Sequence, residues 1–98
     1  MARLDVYRIN ARQCAVDCQS DLLNHLTTRF VVLLVRPDDV PEQIGILHPT
    51  IEVAGQQMIL ATHLAGTVPA KHLRDRIGSL VSHSYVVQRA LDTLTSET

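Results

Sequence analysis

The chain has 98 residues, 46% of them apolar and 19% charged, with a net charge of −1. That length fits one domain spanning 1–98 with one core, and the near-neutral charge gives no electrostatic case for direct binding to nucleic acid, which rests on Lys and Arg meeting phosphates. The aromatic residues, Tyr7, Phe30 and Tyr85, are too few for a stacking platform on single strands.

Met1-Ala-Arg-Leu-Asp5 opens straight into an alternating segment, with no apolar core behind a basic start. No apolar run is long enough to span a bilayer. The expectation is a cytoplasmic protein with no membrane partner. Leu4 to Ile9 alternates, with Leu4 and Val6 on one face and Tyr7 and Ile9 on the other, and predicts a strand. The polar "NARQ" reads as a turn. Cys14 to Cys18 alternates strictly, so these two segments predict an antiparallel hairpin. Four residues apart in a strand, Cys14 and Cys18 are separated by ~13 Å, beyond disulfide reach. The five histidines show no paired metal spacing, and no metal or cofactor is expected.

"QSDLLNHLTTR" predicts a loop with one anchored turn, since Ser20 or Asp21 can cap it. "FVVLLV", Phe30 to Val35, is continuous, β-branched and uncharged, and predicts a central buried strand. Pro37 and Pro41 end it in a turn or a short 3₁₀ piece. Ile51–Val53 and Gln57–Thr62 flank Gly55, which supplies the positive φ of a second hairpin. "LAGTVPAKHL" is predicted as a turn-rich crossing. "LRDRIGSLV" is mixed, with Arg74, Asp75 and Arg76 in solvent.

The clearest helix comes last. Ser82 or Ser84 can cap it, and Val86, Val87, Ala90, Leu91 and Leu94 form one stripe. The sum is four or five short strands and a terminal helix: a mainly β chain, a small antiparallel barrel or curled sheet with a helix packed on it. "SHSY" holds Ser and His as sequence neighbours with nothing to orient the His. Asp38 and Asp39 read as a solvated turn. Phosphate-loop and hydrolase motifs are missing, so residue chemistry favours a binding protein over an enzyme.

The order of segments carries more. "LDVYR", "VDCQSDLL", "LTTRFVVLL", "LHP", a hairpin glycine, "MILATHLAGTVP", "SLVSH" and "ALD" follow one another as in the CcdB family of toxins, which the chain resembles from Leu4 to about Asp92. The resemblance implies an SH3-like β-barrel with a C-terminal helix, related in fold to the MazF endoribonucleases. It implies a homodimer that traps the A subunit of DNA gyrase on cleaved DNA, as a poison and not a catalyst. It also implies a CcdA-like antitoxin that strips the toxin from gyrase, and an operon repressed through the DNA-binding part of that antitoxin. By the same resemblance Val87, Ala90, Leu91 and Leu94 serve helix packing and the dimer contact.

In the family the gyrase contact is a terminal Trp-Gly-Ile. Aligning "ALD" puts Ser96, Glu97 and Thr98 there, and none matches in type. The first hairpin turn is also shorter than the family's, and Leu33 stands where many relatives carry proline. Two alternatives accompany the gyrase poison. One is a homologue that has lost gyrase poisoning and serves as an antitoxin-binding or operon-regulating module. The other is a MazF-like ribonuclease, supported by fold alone.

Overall fold

The computed structural model describes residues 2–40 and 42–96. Six strands form one antiparallel sheet: β1 (Asp5–Arg8), β2 (Gln13–Asp17), β3 (Thr28–Val35), β4 (Thr50–Val53), β5 (Gln56–Pro69) and β6 (Asp75–Ser79). Their order is β4-β5-β3-β2-β1-β6, and the sheet curls into a nearly closed, SH3-like barrel. One helix, α1 (Ser84–Thr95), follows. The first hairpin forms as expected, with Val6 opposite Val16 and Arg8 opposite Cys14. The uncharged run forms β3, which lies between β2 and β5. Pro37–Asp39 closes it as a 3₁₀ turn.

The main core lies on one face of the sheet. Val6, Val16, Val32, Leu34, Met58 and Leu60 meet there, and α1 adds Val87 and Ala90. The opposite face carries two smaller clusters, Tyr7 with Val31 and Leu73, and Val35 with Ile59 and Ala61. Cys14 and Cys18 are buried free thiols in the main core. Burial pushes Cys18 up to about 12, with Arg3 opposing and Asp17 adding to the rise. Neither cysteine is poised for thiolate chemistry.

Three expectations need correction. The segment read as a turn-rich crossing is instead the second half of β5, which runs to Pro69. Its apolar alternation is hidden by a bulge. Val31 pairs with Gly66 and Leu33 with Ala61, so Val32 alone spans on β3 what Thr62, His63, Leu64 and Ala65 span on β5. The excess is odd and reverses which residues face the core. Met58 and Leu60 face it before the bulge, and Ala65 packs against it afterwards. The second correction is the strand count, six where four or five were expected, because the mixed segment forms β6 and adds to the edge beside β1. Its charges mask the strand pattern because they answer charges on β1, Arg76 with Asp5 at 3.0 Å and Asp75 with Arg8 at 4.0 Å. Charged side chains of this kind also protect an edge from foreign pairing.

The third correction concerns the helix start. Neither Ser82 nor Ser84 caps α1. A 3₁₀ turn at Val81–His83 leads directly into it, and the Ser84 N–H donates to the Val81 carbonyl. The Ser84 N–H, which a capping Ser82 would serve, is already used.

β4 and β5 join through two residues, Ala54 and Gly55, with φ of 51° and 80°. Two positive φ values suit the right-handed twist of a hairpin, where Asn-Gly is favoured. Alanine in this conformation is strained by about 1 kcal/mol. Ala54→Asn should therefore raise Tm by about 4–8 °C in a thermal melt.

Candidate functional site

The segment between β2 and β3 is held from below by a buried polar network. Asp17 and Arg29 face each other across neighbouring strands and are essentially inaccessible, with side-chain exposures of 0% and 1%. Arg29 donates to Asp17 Oδ2 from Nε at 2.9 Å and from Nη2 at 2.6 Å. Asp17 Oδ1 accepts the Gln19 N–H at 3.0 Å, and Arg29 Nη1 donates to Asn24 Oδ1 at 2.7 Å. Gln19 completes the arrangement, its Oε1 accepting from the Phe30 N–H and its Nε2 donating to the Leu23 carbonyl. Among the described residues, no buried side-chain nitrogen or oxygen is left without a partner. A fully satisfied buried network specifies a single arrangement.

What this network holds in place is an apolar turn. Asp21–Leu23 forms a 3₁₀ turn with Ser20 accepting the Leu22 N–H. Leu22 is 88% exposed, and Leu23 and Leu26 are a little under half exposed. The turn is tied to α1 through the N-terminal segment. The Arg3 N–H donates to Asp21 Oδ1 at 2.8 Å, and Arg3 Nη2 donates to Gln88 Oε1 at 2.9 Å. Gln88 in turn donates to Asp92 one helical turn on. Arg3 therefore bridges the leucine turn and the helix that leads to the polar tail.

The helix stripe resolves into two roles. Val87 and Ala90 are buried in the main core, and Leu91 packs against it. Leu94 and Val86 are exposed. Ser96 follows the helix and its N–H donates to the Asp92 carbonyl. Glu97 and Thr98 lie outside the described residues. The sequence reading did not single out Leu22 or the Asp17–Arg29 pair, although a charge in each of two strand-like apolar stretches is the signal that could have found the pair.

A concave region lies beside the other end of β3, at Val35. A cavity of about 600 Å³ is lined by Val35, Val40, Ala61 and Leu64, with Asp39 and Glu42 among its charged groups. His48 and His63 contribute to its wall, His48 Nε2 lying 2.8 Å from His63 Nδ1. His48 Nδ1 accepts the Ile44 N–H at 3.0 Å. Burial and the nearby His63 hold the His48 imidazole below its ordinary value of 6.5. Asp39 is also bound by Arg12 at 3.1 Å, joining the first hairpin turn to the 3₁₀ turn after β3. Among the described residues, no three His, Cys, Asp or Glu side chains come together to hold a metal ion. No helix of the described residues is long and apolar enough to cross a membrane.

A family model described as CcdB protein matches residues 3–96. The chain belongs to the CcdB family. Membership makes it a toxin of a toxin–antitoxin system, and the barrel with its C-terminal helix is the fold that the sequence resemblance implied. The CcdB family as a whole implies gyrase and an antitoxin as partners. No curated protein matches the chain.

The network under the leucine turn yields a quantitative expectation. Arg29→Met strands the Asp17 carboxylate in the core, and breaking such a pair costs about 3–5 kcal/mol. Chemical unfolding of Arg29→Met should show that loss. The double variant Asp17→Leu/Arg29→Met, which buries no charge, should recover most of it.

Proposed function

We propose that this CcdB-family chain acts as a homodimer that binds the A subunit of DNA gyrase and traps the cleaved-DNA complex, and that a CcdA-like antitoxin neutralises it. It works in the cytoplasm by contact and not by turnover. The family match over residues 3–96 carries this reading. The rigid leucine turn tied to α1 supports it, because an exposed leucine held on a fixed scaffold loses little entropy when it is buried by a partner. Operator DNA is reached through the antitoxin, in keeping with a net charge of −1. Val86 and Leu94, which the chain's own core leaves exposed, support pairing with a second copy.

One observation favours a second reading. The helix ends at Thr95, and the aligned residues Ser96-Glu97-Thr98 include no aromatic anchor of the kind that dominates interface energetics. A homologue that keeps its antitoxin but no longer poisons gyrase would carry small polar residues of this kind at those positions.

Sedimentation equilibrium at micromolar concentration should give a dimer mass, and a monomer would remove the homodimer from the proposal. Induced expression in a gyrase-sensitive host, scored for growth and for trapped gyrase–DNA cleavage complexes, decides between the readings. The full chain should trap gyrase. Removal of residues 96–98 should weaken trapping, and Leu22→Asp should weaken it about 10-fold or more, from the lost burial of one leucine side chain. Failure of the full chain to trap gyrase, with antitoxin binding retained, would establish the second reading. Cleavage of single-stranded RNA by the purified protein would point to the ribonuclease.

A further inference from the structure

We propose that His48 and His63 form a proton-sensitive latch that holds residues 42–49 against the barrel as one wall of the 600 Å³ cavity, and that uptake of a single proton by the pair opens it. This inference is independent of gyrase. It rests on how the protons of the two rings are constrained.

The Ile44 N–H points at His48 Nδ1, so that nitrogen must carry a lone pair. Neutral His48 then carries its proton on Nε2, which faces His63 Nδ1 at 2.8 Å. His63 Nδ1 must therefore be the acceptor, and neutral His63 carries its own proton on Nε2. Every position is fixed by one backbone amide. The relay Ile44 N–H to His48 to His63 contains two acceptor nitrogens, and both are occupied.

A further proton has nowhere to go without breaking a bond. On His63 Nδ1 it would set two N–H groups against each other at 2.8 Å. On His48 Nδ1 it would oppose the Ile44 N–H. His48 is only 6% exposed and sits on the segment before β4, whereas His63 is exposed on β5. The ring free to leave is thus His63, and its departure undoes the side-chain tie between the loop and the sheet, leaving the backbone bond from the Leu60 N–H to the Pro49 carbonyl as a hinge at the end of the loop. The bulge in β5 matters here, because it sets the facing of His63 apart from the regular alternation.

The charged groups facing the pair are few. Asp39, from the 3₁₀ turn after β3, and Glu42, from the loop itself, line the same cavity. The Asp39 carboxylate is bound by Arg12 from the first hairpin turn. From β5 the titratable group is His63 itself. Burial and His63 disfavour the charged form of His48. A folded-state value below the unfolded one means the unfolded chain binds more protons as pH falls. The contribution of this histidine to stability is thus complete above pH 6.5 and is lost as pH falls from there through the lower folded value.

The test is an NMR titration of the intact protein from pH 8 to pH 5, following the imidazole nitrogens and the backbone amides of residues 42–49. At pH 8 both rings should show the Nε2–H tautomer. The Ile44 amide should then shift in the same pH window in which the imidazoles take up their first proton. A His48 ring protonated on Nδ1 at pH 8, or loop amides that do not respond while the rings titrate, would overturn the proposal. His63→Asn supplies the control. Its side-chain oxygen can replace the Nδ1 acceptor but cannot be protonated. In this variant the loop transition should move to lower pH or vanish. A transition that is unchanged, or moves upward, would show that His63 is a bystander.

Discussion

One ion pair organises the end of the barrel where β2 passes into β3. Asp17 and Arg29 sit on adjacent strands with almost no access to water. Each alone would be prohibitively costly in that position, so each is tolerable only with its partner in place. The remaining hydrogen-bonding capacity is directed at the segment between the two strands, through Asn24 and Gln19. The pair therefore does more than close a β2–β3 contact. It fixes the backbone of a loop that has no buried residue in its 3₁₀ turn to anchor it. An apolar pair could fill the same volume, but it could not grip a carbonyl and an amide outside the core.

The same economy explains how an exposed leucine turn and the terminal helix come to be joined. They lie far apart in the chain. Arg3 supplies the link with two donors, one for Asp21 and one for Gln88. Exposed polar contacts of this sort contribute little to stability. Their effect is positional, keeping two elements in a constant relation while the core carries the energy of folding.

β1 and β2 were legible from their alternation, β3 from a continuous uncharged run that is buried on both faces of the sheet, the second hairpin from Gly55, and α1 from its apolar stripe. The second half of β5 was not, since an odd bulge changes the phase of the pattern in mid-strand. β6 was not either, as neither of its faces is fully buried. At the candidate site, the aligned tail pointed to Ser96, while the better-defined surface feature is Leu22, whose exposure depends on contacts made elsewhere in the chain. The Asp17–Arg29 and His48–His63 pairs are products of cross-strand geometry that no linear spacing encodes.

The β5 bulge has a further consequence for how this region can vary in length. The pleat allows side chains only two facings, so residues added or removed between Thr62 and Ala65 act by parity. Losing two would shorten the loop and leave Ala65 on the core side and Val68 on the other. Losing one would exchange the two faces for the rest of the strand, turning Thr67 and Val68 to opposite sides while Thr28–Val31 of β3 kept theirs. Length variation at this corner of the barrel should therefore be tolerated in steps of two, and family members that share this register should differ there by even numbers of residues.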